Sequence, residues 1–484
     1  MPIVGAELDI DRKKRVSKPI LEGDLRDPEE RVGDFREVKL GFDEESAMAE
    51  AARCIHCPDP APCVIACPMH NDIPTAMWYI EQGDFMSAAE IYYSNSPMPG
   101  ICSRVCPQDN LCQGSCTVTA RTVSIATGLL ERFVTDWARE HGGPPLPEKA
   151  PPTGKHVAIV GSGPAGLTCA EELLVAGHEV TIYEAWPQPG GLLMYGIPAF
   201  KLDKSIVEWR TNRLKDLGAK FVCNTRVGED ITVDEILEQG ADAMFIGVGA
   251  GIEANLDVPG EKLDNIFSST YYLVRANVDP ELLPKDMPEL PPIGQKVAVI
   301  GGGDTATDCL RTSLRLGAKE VVCYYRRTKN EMPGNKKELQ LAFDEGATVE
   351  YLTAPVEFLD ENGDGRVDAM VLINMELGEP DSSGRRRPVP IEGSEHKVPV
   401  DSVVLAIGYW PDPLMGKSTP GLDTDKWGLI VANEETGQTS RPEVFAGGDA
   451  VTGPSLVAFA AIAGKQSAKH ITAYLKEKEA LSEK

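Results

Sequence analysis

The chain has 484 residues, 42% of them hydrophobic, and a formal net charge of −26. That length suits roughly three domains with sizeable cores, and so acidic a balance argues against nucleic acid, whose phosphates need a basic surface. No run reaches the ~18 apolar residues of a membrane span. The opening MPIVGAELDIDRKKRV lacks the apolar core and small-residue cleavage site of a signal peptide, so a cytoplasmic protein without a membrane anchor is expected. Thiols stay reduced there, and clustered cysteines are then metal ligands more often than disulfides.

Residues 1–45 are charged and poor in aromatics and read as an amino-terminal arm. Within it, RKKR (12–15) is a candidate basic dock for an acidic partner. Residues 46–141 read as a helical domain. EESAMAEAARC, DFMSAAEIYYS and TGLLERFVTDWARE carry apolar residues at helical spacing around cysteine-rich loops. Of twelve cysteines, eight fall between Cys54 and Cys116. Cys54, Cys57, Cys63 and Cys67 are spaced C-x2-C-x5-C-x3-C-P, and Cys102, Cys106, Cys112 and Cys116 follow as C-x3-C-P-x4-C-x3-C. Four thiolates satisfy one [4Fe–4S] cluster, and bacterial cluster runs commonly end Cys-Pro. Structural zinc also takes four thiolates, so spacing alone leaves both metals open.

GGPPLPEKAPPTG is a Pro/Gly linker, 142–154. Beyond it, KHVAIVGSGPAGLTCAEELLVAGHEVTIYEA (155–185) runs strand, glycine turn, helix and second strand. Gly161 permits the tight turn, Gly163 lets the backbone approach a pyrophosphate, and Gly166 lets the helix pack on the strand; Pro164 and Ala165 complete the turn. The helix amino terminus supplies amides and a favourable dipole. Glu184 ends the second strand, placed for a ribose diol. PGGLLMYGIPAFKL (189–202) follows, with Gly190, Gly191, Leu192 and Gly196 in a loop that backbone could bring against a cofactor.

The pattern repeats in QKVAVIGGGDTATDCLRTSLRLGAKEVVCYYRRT, 295–328, with Gly301, Gly303, Asp304, Thr305 and Ala306 at the turn. Its second strand ends in Arg326 and Arg327 instead of an acid. An acid repels a 2′-phosphate, whereas arginines bind one bidentately, so NADPH is expected over NADH. Near the carboxyl end, RPEVFAGGDAVTGPSLVAFAAIAGKQSAKHI (441–471) gives a short strand, Gly448, Asp449 and a helix expected to start near Pro454. It resembles the second FAD motif of two-dinucleotide flavoproteins. The resemblance implies that Asp449 holds the ribityl chain and that amides of Ser455, Leu456 and Val457 face the flavin. The expected division is a FAD domain in two parts, 155–253 and 408–484, around an NADPH domain, 254–407.

Together the two cysteine tetrads, GSGPAG, PGGLLMYGIPAFKL, GGGDTATDC, YYRRTKNEMPG and AGGDAVTGPSLV resemble the small-subunit family of NADPH-dependent glutamate synthase. The same architecture occurs in the large subunit of reduced-ferredoxin:NADP oxidoreductases, in sulfide dehydrogenase and in the amino-terminal half of dihydropyrimidine dehydrogenase. The resemblance implies an α/β fold: a helical iron–sulfur domain followed by a Rossmann-like, two-dinucleotide flavoprotein with a discontinuous FAD domain. It also implies that Cys54, Cys57, Cys63 and Cys116 hold one [4Fe–4S] cluster. Cys67, Cys106 and Cys112 hold the other, with Glu131 as fourth ligand and Cys102 a spare thiol beside it.

NADPH gives two electrons at once and clusters carry them singly, so FAD belongs between them. No catalytic acid or base is assigned. No CxxC lies outside the cysteine-rich region, residue 2 is Pro and not an amino-terminal Cys, and no (β/α)8 domain of ~250 residues has room. Glutamine hydrolysis and pyrimidine reduction are therefore expected of another subunit. The expected function is an electron-input subunit whose partner is a larger catalytic chain, that of glutamate synthase. The alternatives are the NADPH-side subunit of a ferredoxin-linked or sulfide dehydrogenase-type oxidoreductase, paired with a second flavin or iron–sulfur subunit, and, from another class, a non-catalytic NADPH-binding scaffold with zinc.

Overall fold

VAIV and VAVI are apolar without alternation, the pattern of strands buried on both faces, and each lies in the interior of a five-stranded parallel sheet. The computed structural model describes residues 8–285, 287–380 and 384–482. The first sheet runs Val444–Ala446, Ala243–Ile246, His156–Val160, Glu179–Tyr183, Lys220–Val222. The second runs Thr348–Tyr351, Glu320–Tyr325, Lys296–Gly301, Ser402–Ala406, Ile266–Ser268. The second sheet is inserted into the first, whose edge strand returns only at Val444. Both crossings meet in an antiparallel ribbon, Ile252–Glu253 against Tyr409–Trp410. An antiparallel layer, Thr353–Leu359, Ala369–Pro380, Arg386–Pro390 and His396–Pro399, adjoins the second sheet. Phe358, Met370 and Leu372 pack there against Ala298, Tyr324 and Val403.

Small residues set how closely the helices lie. Helix Pro164–Val175 crosses the long helix Val457–Ser482, and a Cβ on Gly464 would stand 2.1 Å from the Ala165 carbonyl oxygen. The long helix begins at Val457, not at Pro454. A separate turn, Asp449–Thr452, precedes it and ends at Gly453 with φ +78, which breaks the helical path.

The cysteine-bearing region is helical: Glu44–Ala51, Ile73–Glu81, Phe85–Asn95, Pro99–Val105 and Thr127–Glu140. Asp43, Asp72 and Asp84 cap the first three by accepting from the Ser46, Thr75 and Ser87 amides. Their inner faces meet in a core of Ala76, Met77, Ile80, Phe85, Tyr92, Leu130 and Phe133.

The charged amino-terminal stretch packs against every other part of the molecule. Arg12 Nε donates to the Ile55 carbonyl at 3.0 Å, and Arg15 donates to the Cys54 carbonyl and pairs with Glu81. Glu37 accepts from Arg104 (2.6 Å) and Arg132 (2.7 Å), and the Val38 amide donates to the Phe200 carbonyl at 3.0 Å. Arg31 reaches Glu345 at 2.7 Å and Lys39 reaches Glu338 at 2.9 Å, both beyond the second sheet's first helix. Two of the four charges of RKKR, Arg12 and Arg15, thus hold the first cysteine loop.

Candidate cofactor and cluster sites

The first tetrad is split by where a short helix stops. Cys63 lies in helix Pro62–Ala66, while Cys67 is its C-cap with extended backbone, φ −79 and ψ 119. The two thiols, four residues apart, therefore point to different places. Cys63 joins Cys54, Cys57 and Cys116 around one cavity closed by Ile73, Met77, Val118 and Ile125. Cys67, Cys106, Cys112 and Glu131 lie close enough to act on one another's charge, with Cys102 beside Cys106. Cys102, inside helix Pro99–Val105, and Cys106, its extended C-cap, stay at the same group.

Burial pushes the Cys54 thiol up to about 12 and the Cys67 thiol to about 11; Cys63, Cys106 and Cys112 are also raised. Such thiols ionise when a metal offsets their charge. Glu131 is buried, and its nearest hydrogen-bond donor is Asn71 Nδ2 at 3.5 Å. Burial, and then Cys102, raise its pKa well above the ordinary carboxylate value. Among the described residues no three Cys, His, Asp or Glu side chains converge on a point that a single ion could occupy. Zinc needs all its sulfurs ~2.3 Å from one centre; a four-iron cube holds its thiolates at its corners, farther apart. The residues fit the cluster better than zinc.

At the first dinucleotide turn Gly161 has φ +92, and a Cβ on Gly166 would lie 2.0 Å from the Gly161 carbonyl oxygen. Gly163 caps the helix, with nothing within 4 Å of where its Cβ would be, which leaves room for a phosphate. Pro164 and Ala165 form the helix's first turn. Glu184 is bound to the turn itself: Oε2 accepts from the Ser162 amide (3.1 Å) and hydroxyl, and Oε1 from the Trp186 amide (2.9 Å). The Ser162 hydroxyl in turn accepts from the Gly190 amide at 2.9 Å. This bridge lays loop 189–202 on the turn, and a Cβ on Gly191 would come 3.1 Å from Gly163 Cα. Gly196 packs its backbone on Leu192, and half-open apolar surface at Leu192, Val248 and Phe459 surrounds the cleft.

Gly448, φ +70, backs onto Ala165 and turns Asp449 inward. Asp449 Oδ1 is buried with no hydrogen-bond partner, and burial pushes the carboxyl up to about 6, against the pull of the Ser455 amide. An orphaned buried oxygen of this kind is what a hydroxylated cofactor chain would satisfy. Leu456 and Val457 follow at the mouth of the long helix.

At the second turn Gly301 has φ +144, and the position above Gly303 is open. Asp304 accepts from the Asn335 amide at 2.7 Å, Thr305 accepts from the Tyr409 hydroxyl at 3.4 Å, and Ala306 is buried. Arg326 is exposed. Arg327 is buried, its Nε donating to the Arg386 carbonyl at 2.9 Å. Among the described residues no carboxylate pairs with either. Arg385, from the antiparallel layer, reaches the Tyr325 hydroxyl at 3.3 Å and so joins them. Burial, then Arg327 and Arg385, lower the Arg326 pKa, a positive concentration suited to a phosphate. Arg385 and Ser162 are the groups that sequence reasoning missed. GRRRP signalled the first, but nothing local tied it to a strand end sixty residues earlier.

The two dinucleotide regions touch through loop 189–202. Lys201 pairs with Asp308 at 2.9 Å, and Phe200 lies beneath Arg311 and Arg315 at 4.5 and 4.0 Å.

Comparison with known proteins agrees with this architecture. Residues 31–143 match the family described as dihydropyrimidine dehydrogenase domain II, 4Fe-4S cluster, and residues 155–464 match pyridine nucleotide-disulphide oxidoreductase. The glutamate synthase [NADPH] small chain of Escherichia coli is 39% identical over 449 residues, 91% of this chain and 94% of that one. The putative oxidoreductase AegA of the same organism is 41% identical over 453 residues, 92% of this chain and 68% of the relative. Among solved structures, Mycobacterium tuberculosis FprA in complex with NADPH superposes with TM-score 0.57 at 23% identity, over 69% of this chain and 86% of that one, a likeness of fold.

Proposed function

Because the chain belongs to the family of glutamate synthase small chains, NADPH-dependent FAD and iron–sulfur oxidoreductases, we propose that it passes electrons from NADPH through FAD to two [4Fe–4S] clusters and on to a larger catalytic subunit. What supports this reading is that Cys54, Cys57, Cys63 and Cys116 line one cavity while Cys67, Cys106, Cys112 and the buried Glu131 lie together. In it, Cys54, Cys57, Cys63 and Cys116 hold one cluster, and Cys67, Cys106, Cys112 and Glu131 the other. The flavin converts a hydride into single electrons. Gly163 and its helix receive the FAD pyrophosphate, Asp449 the ribityl chain, and loop 189–202 excludes water from one face. Gly303 and its helix receive NADPH.

Arg326 and Arg327 hold the 2′-phosphate in this reading. Arg326→Ala is expected to weaken NADPH binding by about 1.5–3 kcal/mol, the worth of one charge-assisted contact, and to leave NADH nearly unchanged. Arg327→Ala adds a structural loss, since its Nε bond to Arg386 goes with it. Equal weakening of both nucleotides, read by fluorescence titration, would remove these arginines from the phosphate.

The purified chain is expected to oxidise NADPH with an artificial acceptor, to contain about eight iron atoms, and to form no glutamate from glutamine and 2-oxoglutarate. Adding a cognate large chain restores synthesis. About two zinc atoms and no flavin-linked oxidation would sink the reading. The identity to AegA, a putative oxidoreductase without the glutamate synthase name, favours a second acceptor as runner-up; ferredoxin reduction with no response to a large chain would select it. No helix among the described residues is long and apolar enough to cross a membrane, which supports a cytoplasmic setting.

A further inference from the structure

Tyr92 is wholly buried, yet its hydroxyl has no hydrogen-bond partner. A buried hydroxyl left unsatisfied is costly, and Phe would fill the same space without that cost. The residue sits in helix Phe85–Asn95, in one core with Cys112, and Cys54, Cys63, Cys67 and Cys116 pack against that core. Two contacts fix the helix. Asn95 Nδ2, one turn on, donates to the His70 carbonyl at 3.0 Å, beside the loop that leaves Cys67. Phe85, two turns back, meets Phe133 of the helix that carries Glu131, with ring centroids 4.9 Å apart. Both contacts fix Tyr92 beside the group of Cys67 and Glu131, while Cys54, Cys63 and Cys116 of the other group pack against the same core. The charges that act on its hydroxyl come from both: Glu131, Cys112 and Cys67 of one, and Cys63 of the other.

We propose that Tyr92 is a positioning and tuning residue between the two clusters, its hydroxyl donating a hydrogen bond to a sulfur of one of them and so setting the difference between their potentials. The inference rests on the two-cluster reading above. A hydroxyl is a donor that can turn to suit its acceptor, and hydrogen bonds to sulfur are among the protein's levers on cluster potential. Donation stabilises the reduced cluster, which carries more negative charge, and raises its potential. The donor then makes that cluster the easier of the two to reduce.

The test is Tyr92→Phe in the complete, cluster-loaded chain, followed by redox titration with electron paramagnetic resonance detection. One cluster is expected to shift to a more negative potential by about tenfold in its reduction equilibrium, about 59 mV for one electron, with iron content and the other cluster unchanged. Electron–nuclear double resonance after exchange into heavy water gives an independent reading: the wild type shows an exchangeable proton coupled to a cluster, and the variant lacks it. Two unmoved potentials, or the same coupled proton in both proteins, would overturn the proposal. Failure of the two-cluster reading looks different, since the wild type itself would then show no pair of cluster signals.

Discussion

Glu131→Ala is expected to yield a protein that keeps its FAD and one cluster and loses the other, with iron falling by about half. A carboxylate this deep needs a charge to answer it, because burying an unpaired ion costs several kcal/mol. Among the described residues it has no cation beside it: Asn71 is its one donor, at 3.5 Å, and Asn71 Oδ1 is itself unsatisfied. Three thiols share the space, Cys67 and Cys112 raised chiefly by burial and Cys106 by its neighbour Cys102 and then by burial. Iron would satisfy all of them together. Glu131→Gln is expected to be milder, because an amide oxygen remains to bind the metal while the charge is lost. A buried acid with only a packing role behaves oppositely: removing it relieves strain, raises stability and leaves both cluster spectra as they were. Iron analysis with low-temperature spectra of the two variants separates the cases.

Glu345→Ala is expected to destabilise the junction between the amino-terminal segment and the second dinucleotide domain by about 3–5 kcal/mol, the usual cost of breaking a buried ion pair by removing one partner. One carboxylate there answers three guanidiniums: Arg31 at 2.7 Å, Arg311 at 2.9 Å and Arg315 at 2.7 Å. Glu338 adds a second acceptor, at 2.8 Å from Arg311 and 2.9 Å from Lys39. Despite burial, these cations hold both carboxyls at about 2, below the ordinary 4.5. Their folded values are depressed, so their stabilisation is complete above about pH 4.5 and is lost as pH falls toward 2. Limited proteolysis across that range is expected to release the amino-terminal segment of the wild type only at the acid end. In Glu345→Ala it should be released at neutral pH as well. Equal resistance of the two proteins at pH 7 would show that the segment is held elsewhere.

The parts legible in the sequence are those whose logic is local. VAIVGSGPAG and VAVIGGGDTA carry strand, turn and helix start within a few residues, and the parallel sheets follow from them. The amino-terminal segment was opaque because its charges are matched far away: Arg31 finds Glu345, 314 positions later, and no periodicity reports such a pair. Cys63 and Cys67 show the same limit at short range. Four residues apart, they would share a helix face, and only the stop at Ala66 sends them to different groups. Motif resemblance carried that division where spacing could not. Glu184 also accepts from Ser162 and Trp186, a use of the acid that the fingerprint does not encode.

The inserted second sheet bears on how the molecule is made. Strand Ala243–Ile246 finds its outer neighbour only in Val444–Ala446. During synthesis from the amino terminus, a whole domain must emerge before that edge is covered. Until then, fully buried residues such as Met244 and Phe245 belong to an open strand, the kind of edge that recruits other chains. The inserted domain's own sheet and core come from one stretch of chain and can form first. In the proposed reading, the flavin cleft takes Asp449 from the last part of the chain and so closes at the end. Yield in a cell should therefore depend on temperature and on chaperone supply more than the finished protein's stability would suggest.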